Sequence, residues 1–151
     1  MKIYFVAAIR GGRGDREWYL QIIPLLEQYG EVVTEHIGTN RFTEEGEESP
    51  EVSDEEIFER DMRWIKEADV IVAEVTTASL GVGYELHEAE NLNKRILCLY
   101  REHDDRNLSP MIAGNPNLRV APYVVIEDVK KIFEEFFSEK PSRPRKAAAK
   151  R

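Results

Sequence analysis

The sequence is poor in the residues that form disulfides and metal sites. Its 151 residues include one cysteine, Cys98, and three histidines. One cysteine excludes a disulfide or a multi-cysteine zinc site within the chain. It lies in the apolar segment RILCLY, where we expect a buried structural thiol. None of the histidines occurs in a metal-binding spacing such as H-E-x-x-H. We therefore predict no metal site.

Long apolar runs are also missing. No stretch approaches the roughly 18 apolar residues of a membrane-spanning helix. The first residues, MKIYFVAAIRGG, lack the charged, apolar and small-residue order of a signal peptide. Hydrophobic residues nevertheless make up 42% of the chain, which is enough for one sizeable core. The sequence thus predicts a single domain, which we expect in the cytoplasm.

Positive charge is scarce in most of the chain. Residues 139–151, EKPSRPRKAAAKR, contain six of the 21 Lys and Arg residues and one of the 29 acidic residues. Residues 1–138 therefore carry 15 basic and 28 acidic side chains, a net charge of −13. Such a body repels polyanions, so we expect no binding of nucleic-acid polymers. The composition predicts a domain over 1–138 and a basic, disordered tail over 139–151.

Apolar runs alternate along the chain with segments of helical periodicity. The predicted strands cover 2–9, 31–36, 70–75, 96–100 and 119–126, with amphipathic helices between and after them. Five such alternations favour the α/β class: a doubly wound, five-stranded parallel sheet of order 2-1-3-4-5, flanked by helices. Pro24 is predicted to kink or split the first helix. Residues 38–53, acidic and rich in Gly and Ser, are predicted to be either a lid or a solvated insertion, ended by a capping box at Ser53 and Glu56.

The two most unusual loops follow the first and third predicted strands. Residues 7–16, AAIRGGRGDR, supply arginines and glycines, and residues 76–83, TTASLGVG, supply hydroxyls and glycines. In this sheet order ligands bind beyond the carboxyl ends of those two strands. Neither loop matches a dinucleotide fingerprint or a P-loop. We predict an anion site there instead, with Ser79 as the N-cap of the third helix.

Three side chains indicate chemistry beside that site. Glu85 lies one turn into the third helix, on the face of Val82 and Ala89, and the helix N-terminus is expected to lower its pKa. Asp61 lies on the apolar stripe of the second helix, where a carboxylate needs a partner or a function. Tyr4 lies within the first strand. Each also has a purely structural interpretation: Glu85 as a partner of the helix dipole, Asp61 as a buried hydrogen-bonding group, and Tyr4 as a core side chain.

Several motifs together resemble the 2'-deoxynucleoside 5'-phosphate N-hydrolases, a branch of the nucleoside 2-deoxyribosyltransferase superfamily. The segments IYFVAAIRGGRGDREWY, TEHI, ERDMRWIKEADVIVAEVTTASLGVGYELHEAENLNKRILCLYR and LSPMIAG occur in order over nearly all of residues 2–114. The resemblance implies hydrolysis of the N-glycosidic bond of 2'-deoxynucleoside 5'-monophosphates through a covalent glycosyl-glutamate. It implies no cofactor.

The same resemblance assigns roles to individual residues. It implies that Glu85 attacks C1' of the sugar, while Asp61 and Tyr4 orient the sugar and assist departure of the base. It also implies a homodimer in which Ser109 and Met111 of one subunit complete the neighbour's site. The implied substrate-binding residues are Ala7, Ile9, Arg10, Gly11, His36, Ser79, Gly81, Ser109 and Met111.

The sequence leaves alternatives open. Ala7 and Ala8 replace the family's usual Gly-Ser pair, so selectivity between deoxyribose and ribose is not decided. Tyr4 favours the deoxy substrate, because related CMP hydrolases tend to carry Phe there. Transfer of the sugar to another base is a second enzymatic interpretation, and a nucleotide-binding module without turnover is a third. The joint presence of Tyr4, Asp61 and Glu85 speaks against the module, since phosphate binding needs none of them.

Overall fold

The computed structural model describes residues 1–9, 15–34, 42–43, 46–47, 53–102 and 107–139. The strands are β1 (Lys2–Ala7), β2 (Glu31–Thr34), β3 (Phe42–Thr43), β4 (Gly46–Glu47), β5 (Val70–Glu74), β6 (Arg95–Arg101) and β7 (Arg119–Tyr123). The helices are α1 (Arg16–Leu26), α2 (Asp54–Glu67), α3 (Leu80–Asn91), α4 (Pro110–Ala113) and α5 (Ile126–Ser138).

One parallel sheet organises the fold, with its strands in the order β2-β1-β5-β6-β7. Counted over the strands of this sheet, the order is 2-1-3-4-5, so the predicted topology is confirmed. Ala7 pairs in register with Glu74, and Glu74 with Leu99. The carboxyl ends of β1 and β5 therefore lie level, while β6 continues to Arg101, and the loops that follow these parallel strands lie at one edge of the sheet.

Alternating residues of β1 enter two separate cores, because successive side chains of a strand point to opposite faces. Ile3, Phe5 and Ala7 pack with buried residues of α1 and α5 on one face. Tyr4 and Val6 pack with buried residues of α2 and α3 on the other. This alternation places the Tyr4 side chain in the same layer as the two helices that carry Asp61 and Glu85.

The predicted helix starts are confirmed. Ser53 and Glu56 form a reciprocal capping box at α2, and the Ser79 hydroxyl accepts from Val82 N–H at the start of α3. Of the two outcomes predicted for Pro24, a split of the first helix is wrong, since α1 runs through it and ends two residues later, and a kink stays a prediction. A missing N–H in the last turn removes one hydrogen bond without interrupting the preceding turns.

Two further differences concern the acidic segment and the tail. Within residues 38–53, predicted as a loop, β3 and β4 pair antiparallel as a short hairpin, consistent with the strand preference of Phe and Thr. Helix α5 ends at Ser138, and Glu139 binds Arg119 Nη1 at 2.5 Å. The rest of the predicted tail, 140–151, lies outside the described residues. Among the residues described, no helix has the length and apolar character needed to cross a bilayer.

Candidate active site

Tyr4, Asp61 and Glu85 come together from three elements at the α2/α3 face of the sheet. The Tyr4 hydroxyl donates to Glu85 Oε1 at 2.8 Å, although 81 residues separate them in the chain. Tyr4 is fully buried, Asp61 is 6% exposed, and Glu85 is partly buried. Asp61 lies close enough to Glu85 for its charge to act on that carboxyl group. The structure thus clusters the three residues that the sequence singled out.

Glu85 has a carboxyl group that titrates near neutrality. Burial raises its pKa to about 7, and the negative charge of Asp61 acts in the same direction. The hydrogen bond from Tyr4 and the charge of Arg60 oppose this shift. The expectation that the helix N-terminus would lower the pKa of Glu85 is therefore wrong. Loss of hydration at this partly buried position outweighs the attraction of the helix end.

Ser79 and Gly81 form the start of α3, next to Glu85. The Ser79 hydroxyl caps α3 through a long bond of 3.4 Å from Val82 N–H. Gly81 is exposed, and a Cβ added there would make only an ordinary contact of 3.8 Å with Ser79 Oγ. The fold itself thus does not require glycine at this position, and the helix start presents free surface to an anion.

The other predicted contacts on β1 and its loop have different outcomes. Ala7 is buried in the α1/α5 core, so its methyl group lies on the opposite face of the sheet from Tyr4. Ile9 is partly buried against the same α1/α5 core. Arg10, Gly11 and His36 lie outside the described residues, and their predicted roles stay predictions.

Ser109 and Met111 lie at the start of α4 and do not join Glu85 of their own chain. They line a cavity of about 510 Å³ together with Leu80, Gly83 and Leu86 of α3. At roughly 100° per residue, these α3 positions project well away from the direction of Glu85. Met111 is 80% exposed and Leu80 is 96% exposed. Ser79 and Val82 also line this cavity, whereas Glu85 does not, so within one chain Ser109 and Met111 lie near the predicted anion site but not at Glu85.

A second buried carboxylate, Glu74, was not predicted as a site residue. It ends β5, is 1% exposed, and accepts from the Thr76 hydroxyl, from Thr76 N–H at 3.3 Å and from the Tyr123 hydroxyl at 3.0 Å. The Thr76 hydroxyl in turn accepts from Arg101 N–H at 2.8 Å. Burial raises the pKa of Glu74, while these hydrogen bonds from Thr76 and Tyr123 lower it. Its signal in the sequence was a lone charge inside the apolar run VIVAEV.

The Glu74 cluster continues toward the start of α1. Asp15, 3% exposed, accepts from the Thr77 hydroxyl and pairs with the Arg101 guanidinium, which also lies 4.7 Å from the Trp18 ring centroid. These contacts tie the start of α1 to the loop after β5 and to the end of β6. In the described part of the chain, no group of three or more His, Cys, Asp or Glu side chains is arranged to hold a metal ion.

Known proteins share both the sequence and the fold. Residues 3–135 match the nucleoside 2-deoxyribosyltransferase family. Over 140 residues the chain is 45% identical to 5-hydroxymethyl-dUMP N-hydrolase of Esox lucius and 46% identical to that of Danio rerio; each alignment covers 91% of this chain and 96% of the relative. CMP N-glycosidase of Clostridium botulinum shares the fold, with a TM-score of 0.60 at 20% identity over 88% of this chain and 98% of that one. The chain therefore belongs to the nucleoside 2-deoxyribosyltransferase family, as its motifs predicted.

Proposed function

We propose that the protein hydrolyses the N-glycosidic bond of 2'-deoxynucleoside 5'-monophosphates, releasing the base and 2-deoxyribose 5-phosphate. The observation that carries this proposal is the hydrogen bond from buried Tyr4 to Glu85, which fixes a carboxylate beside Asp61 at the ligand-binding edge of the sheet. Relatives at 45% and 46% identity that are named 5-hydroxymethyl-dUMP N-hydrolases support it. A charged nucleotide does not cross a bilayer unaided, so we place the reaction in the cytoplasm, where such nucleotides are formed.

The reaction follows the logic of retaining glycosidases. The ionised Glu85 carboxylate attacks C1', and the C1'–N bond breaks with its electron pair going to the base. The departing base takes up a proton from Asp61, directly or through water. Water then attacks C1' of the glycosyl-enzyme and gives a proton back to Asp61, while the bond between C1' and Glu85 breaks and restores the Glu85 carboxylate. Because burial raises the pKa of Glu85 to about 7, we expect the rate to increase with pH through neutrality.

Substrate selection rests on the phosphate. Ser79 and Gly81 at the start of α3 present a hydroxyl and exposed backbone to an anion, and Arg10 and Gly11 are assigned to the same group. The phosphate is remote from the bond that breaks, so its binding energy can orient the sugar against Glu85. We therefore expect nucleotides to be used and nucleosides to be poor substrates.

A homodimer completes this site. Ser109 and Met111 line a cavity that includes Ser79 but not Glu85 of their own chain, and we assign them to the site of a neighbouring copy, as the family resemblance implies. The exposed apolar side chains of Leu80, Tyr84 and Met111 support a second copy as the occupant of this face.

Chromatography of the free base after incubation with each 2'-deoxynucleoside 5'-monophosphate and with CMP tests the activity. We expect Glu85→Gln to abolish base release, by at least about a thousandfold. Glu88→Gln is the matched control, because it removes the same charge from the same helix. Release that is unchanged in Glu85→Gln would contradict the assigned nucleophile. Formation of a new nucleotide when a free acceptor base is supplied would identify sugar transfer, and release from CMP alone would identify a ribonucleotide hydrolase.

Mixing two inactive variants tests the shared site. Ser109→Asp places a negative charge against the phosphate, and Glu85→Gln removes the nucleophile. If Ser109 serves the neighbouring subunit, each mixed dimer contains one intact site, and a random mixture recovers about a quarter of the wild-type activity. If Ser109 serves its own chain, mixing restores nothing.

A further inference from the structure

Arg60 lies beside the candidate active site, and neither the family resemblance nor the proposed reaction assigns it a role. Its Nε donates to Asp61 Oδ1 at 3.0 Å, and the two side chains are 18% and 9% exposed. Neighbouring residues on a helix do not ordinarily face each other. The Arg60 side chain must therefore fold back along α2 to make this ion pair.

A stacking contact fixes the guanidinium in this position. The Arg60 Cζ atom lies 4.8 Å from the centroid of the Trp64 ring, one turn along α2. The Trp64 ring packs against the Tyr4 ring at a centroid distance of 6.1 Å, and the Tyr4 hydroxyl donates to Glu85. Arg60 thus contacts one catalytic carboxylate directly and reaches the other through two packed aromatic rings. A planar guanidinium suits this double role better than the ammonium of lysine.

We propose that Arg60 is a positioning residue for the proposed reaction: it holds the Asp61 carboxylate in place and compensates its negative charge beside Glu85. The proposal rests on the function proposed above and adds a residue to it. Two carboxylates that share a partly buried site repel each other, and a cation held between an ion pair and an aromatic face relieves that repulsion.

The charges around Glu85 define what the loss of Arg60 should do. Among the described residues, the titratable groups that act on Glu85 are Tyr4 from β1 and Asp61 and Arg60 from α2. Asp61 disfavours the Glu85 carboxylate, while Arg60 and Tyr4 favour it. Removing Arg60 leaves the effect of Asp61 uncompensated. The pKa of Glu85 then increases beyond about 7, and less of the nucleophile is ionised at neutral pH.

The pH dependence of kcat/KM distinguishes positioning from simple support of the fold. Arg60→Met keeps an unbranched apolar stem against Trp64 and removes the charge. We expect the acidic limb of its profile to move up by about half to one pH unit, with kcat/KM about two- to fivefold lower at pH 7. Arg60→Lys should restore the position of the limb. Arg63→Met, which removes an exposed charge from the same helix, should leave the limb unchanged.

Two outcomes would overturn the proposal: a folded Arg60→Met with the wild-type profile, or an equal shift in Arg63→Met. Titration of Glu85 by carbon-13 NMR, with labelled glutamate in both proteins, measures the same shift without substrate. If wild-type protein releases no base, the proposed function fails. The inference about Arg60 then stands or falls on the NMR titration alone, so the two failures remain distinguishable.

Discussion

Two buried glutamates at the same edge of the sheet have opposite surroundings. Glu74 is 1% exposed, and three donors from Thr76 and Tyr123 point at its carboxyl group. Glu85 is partly buried, and among the described residues one donor, the Tyr4 hydroxyl, reaches it. Burial raises the pKa of both carboxyl groups. The structure thus gives the Glu74 carboxyl group three donors, and from the described residues it gives the Glu85 carboxyl group one.

Under the proposed function, this difference separates a structural group from a reactive one. A carboxylate that already accepts several buried hydrogen bonds cannot bond to a substrate without losing some of them. Glu74 accordingly joins the loop after β5 to β6 and β7, through Thr76, Arg101 and Tyr123. In the proposed reaction Glu85 uses a carboxylate oxygen to attack C1', and its partial desolvation would make the carboxylate more nucleophilic once it is ionised. Burial alone does not identify a reactive carboxyl group; incomplete hydrogen bonding distinguishes the two.

In this comparison of the two glutamates, the largest expected effect on catalysis comes from removing the tyrosine hydroxyl that donates to Glu85. Tyr4→Phe keeps the buried ring but removes the single described donor to Glu85, so the pKa of Glu85 increases further. We expect kcat/KM to fall about 100- to 1,000-fold at pH 7. Tyr123→Phe is the matched control. It leaves Glu74 with both donors of Thr76, and we expect a loss of stability of about 1 kcal/mol with little change in kcat. Equal losses of kcat in the two variants would break the distinction.

We expect substitution of Glu85 to increase the free energy of unfolding at pH 8 and substitution of Glu74 to decrease it. Glu85 has a folded-state pKa of about 7 against an ordinary value of 4.5, so its ionisation disfavours the folded state as pH increases from 4.5 to 7. Glu85→Gln cannot ionise and still accepts from Tyr4. We expect it to be more stable than wild type by about 1 to 3 kcal/mol at pH 8, with the difference vanishing near pH 4.5.

Glu74→Leu provides the other half of this test. It leaves the hydroxyls of Thr76 and Tyr123 buried without their acceptor, and we expect a loss of about 3 kcal/mol or more in the free energy of unfolding. Urea denaturation at pH 5 and pH 8 measures both variants. Destabilisation of Glu85→Gln at pH 8 would show that Glu85 is a structural carboxylate like Glu74.

The sequence predicted the sheet order and the Glu85 site because those features depend on local patterns. Apolar runs marked the strands, Ser79 marked the start of α3, and helical spacing placed Asp61 on a buried stripe. The Glu74 cluster was missed because its contacts join residues far apart, such as Tyr123 and Glu74, which are 49 positions apart. Such pairing depends on strand register, which the patterns did not give.

The role of Arg60 and the pKa of Glu85 were beyond sequence patterns for a related reason. A side chain that folds back on its neighbour is a matter of rotamer, and i, i+1 spacing gives no hint of it. The pKa of Glu85 depends on how much water the packed helices exclude, and position in a helix predicted the wrong direction. Position in the sequence indicated which groups lie at the site, whereas burial by the packed helices determines the pKa of Glu85.

The smallest expected effects on stability and KM come from substituting two serine N-caps, one at the candidate site and one away from it. Ser53 accepts from Glu56 N–H at 3.2 Å within a full capping box, whereas Ser79 accepts from Val82 N–H at 3.4 Å. We expect Ser53→Ala to cost about 1 kcal/mol of stability without changing KM, and Ser79→Ala to cost about 0.5 kcal/mol or less. Ser79→Ala should instead raise KM for the nucleotide several-fold, by about 1 kcal/mol of lost phosphate binding. Thermal denaturation and initial rates measure both. If the Ser79 hydroxyl serves only to cap α3, Ser79→Ala would reduce stability and leave KM unchanged. The incomplete hydrogen bonding seen at Glu85 would then not extend to the anion site.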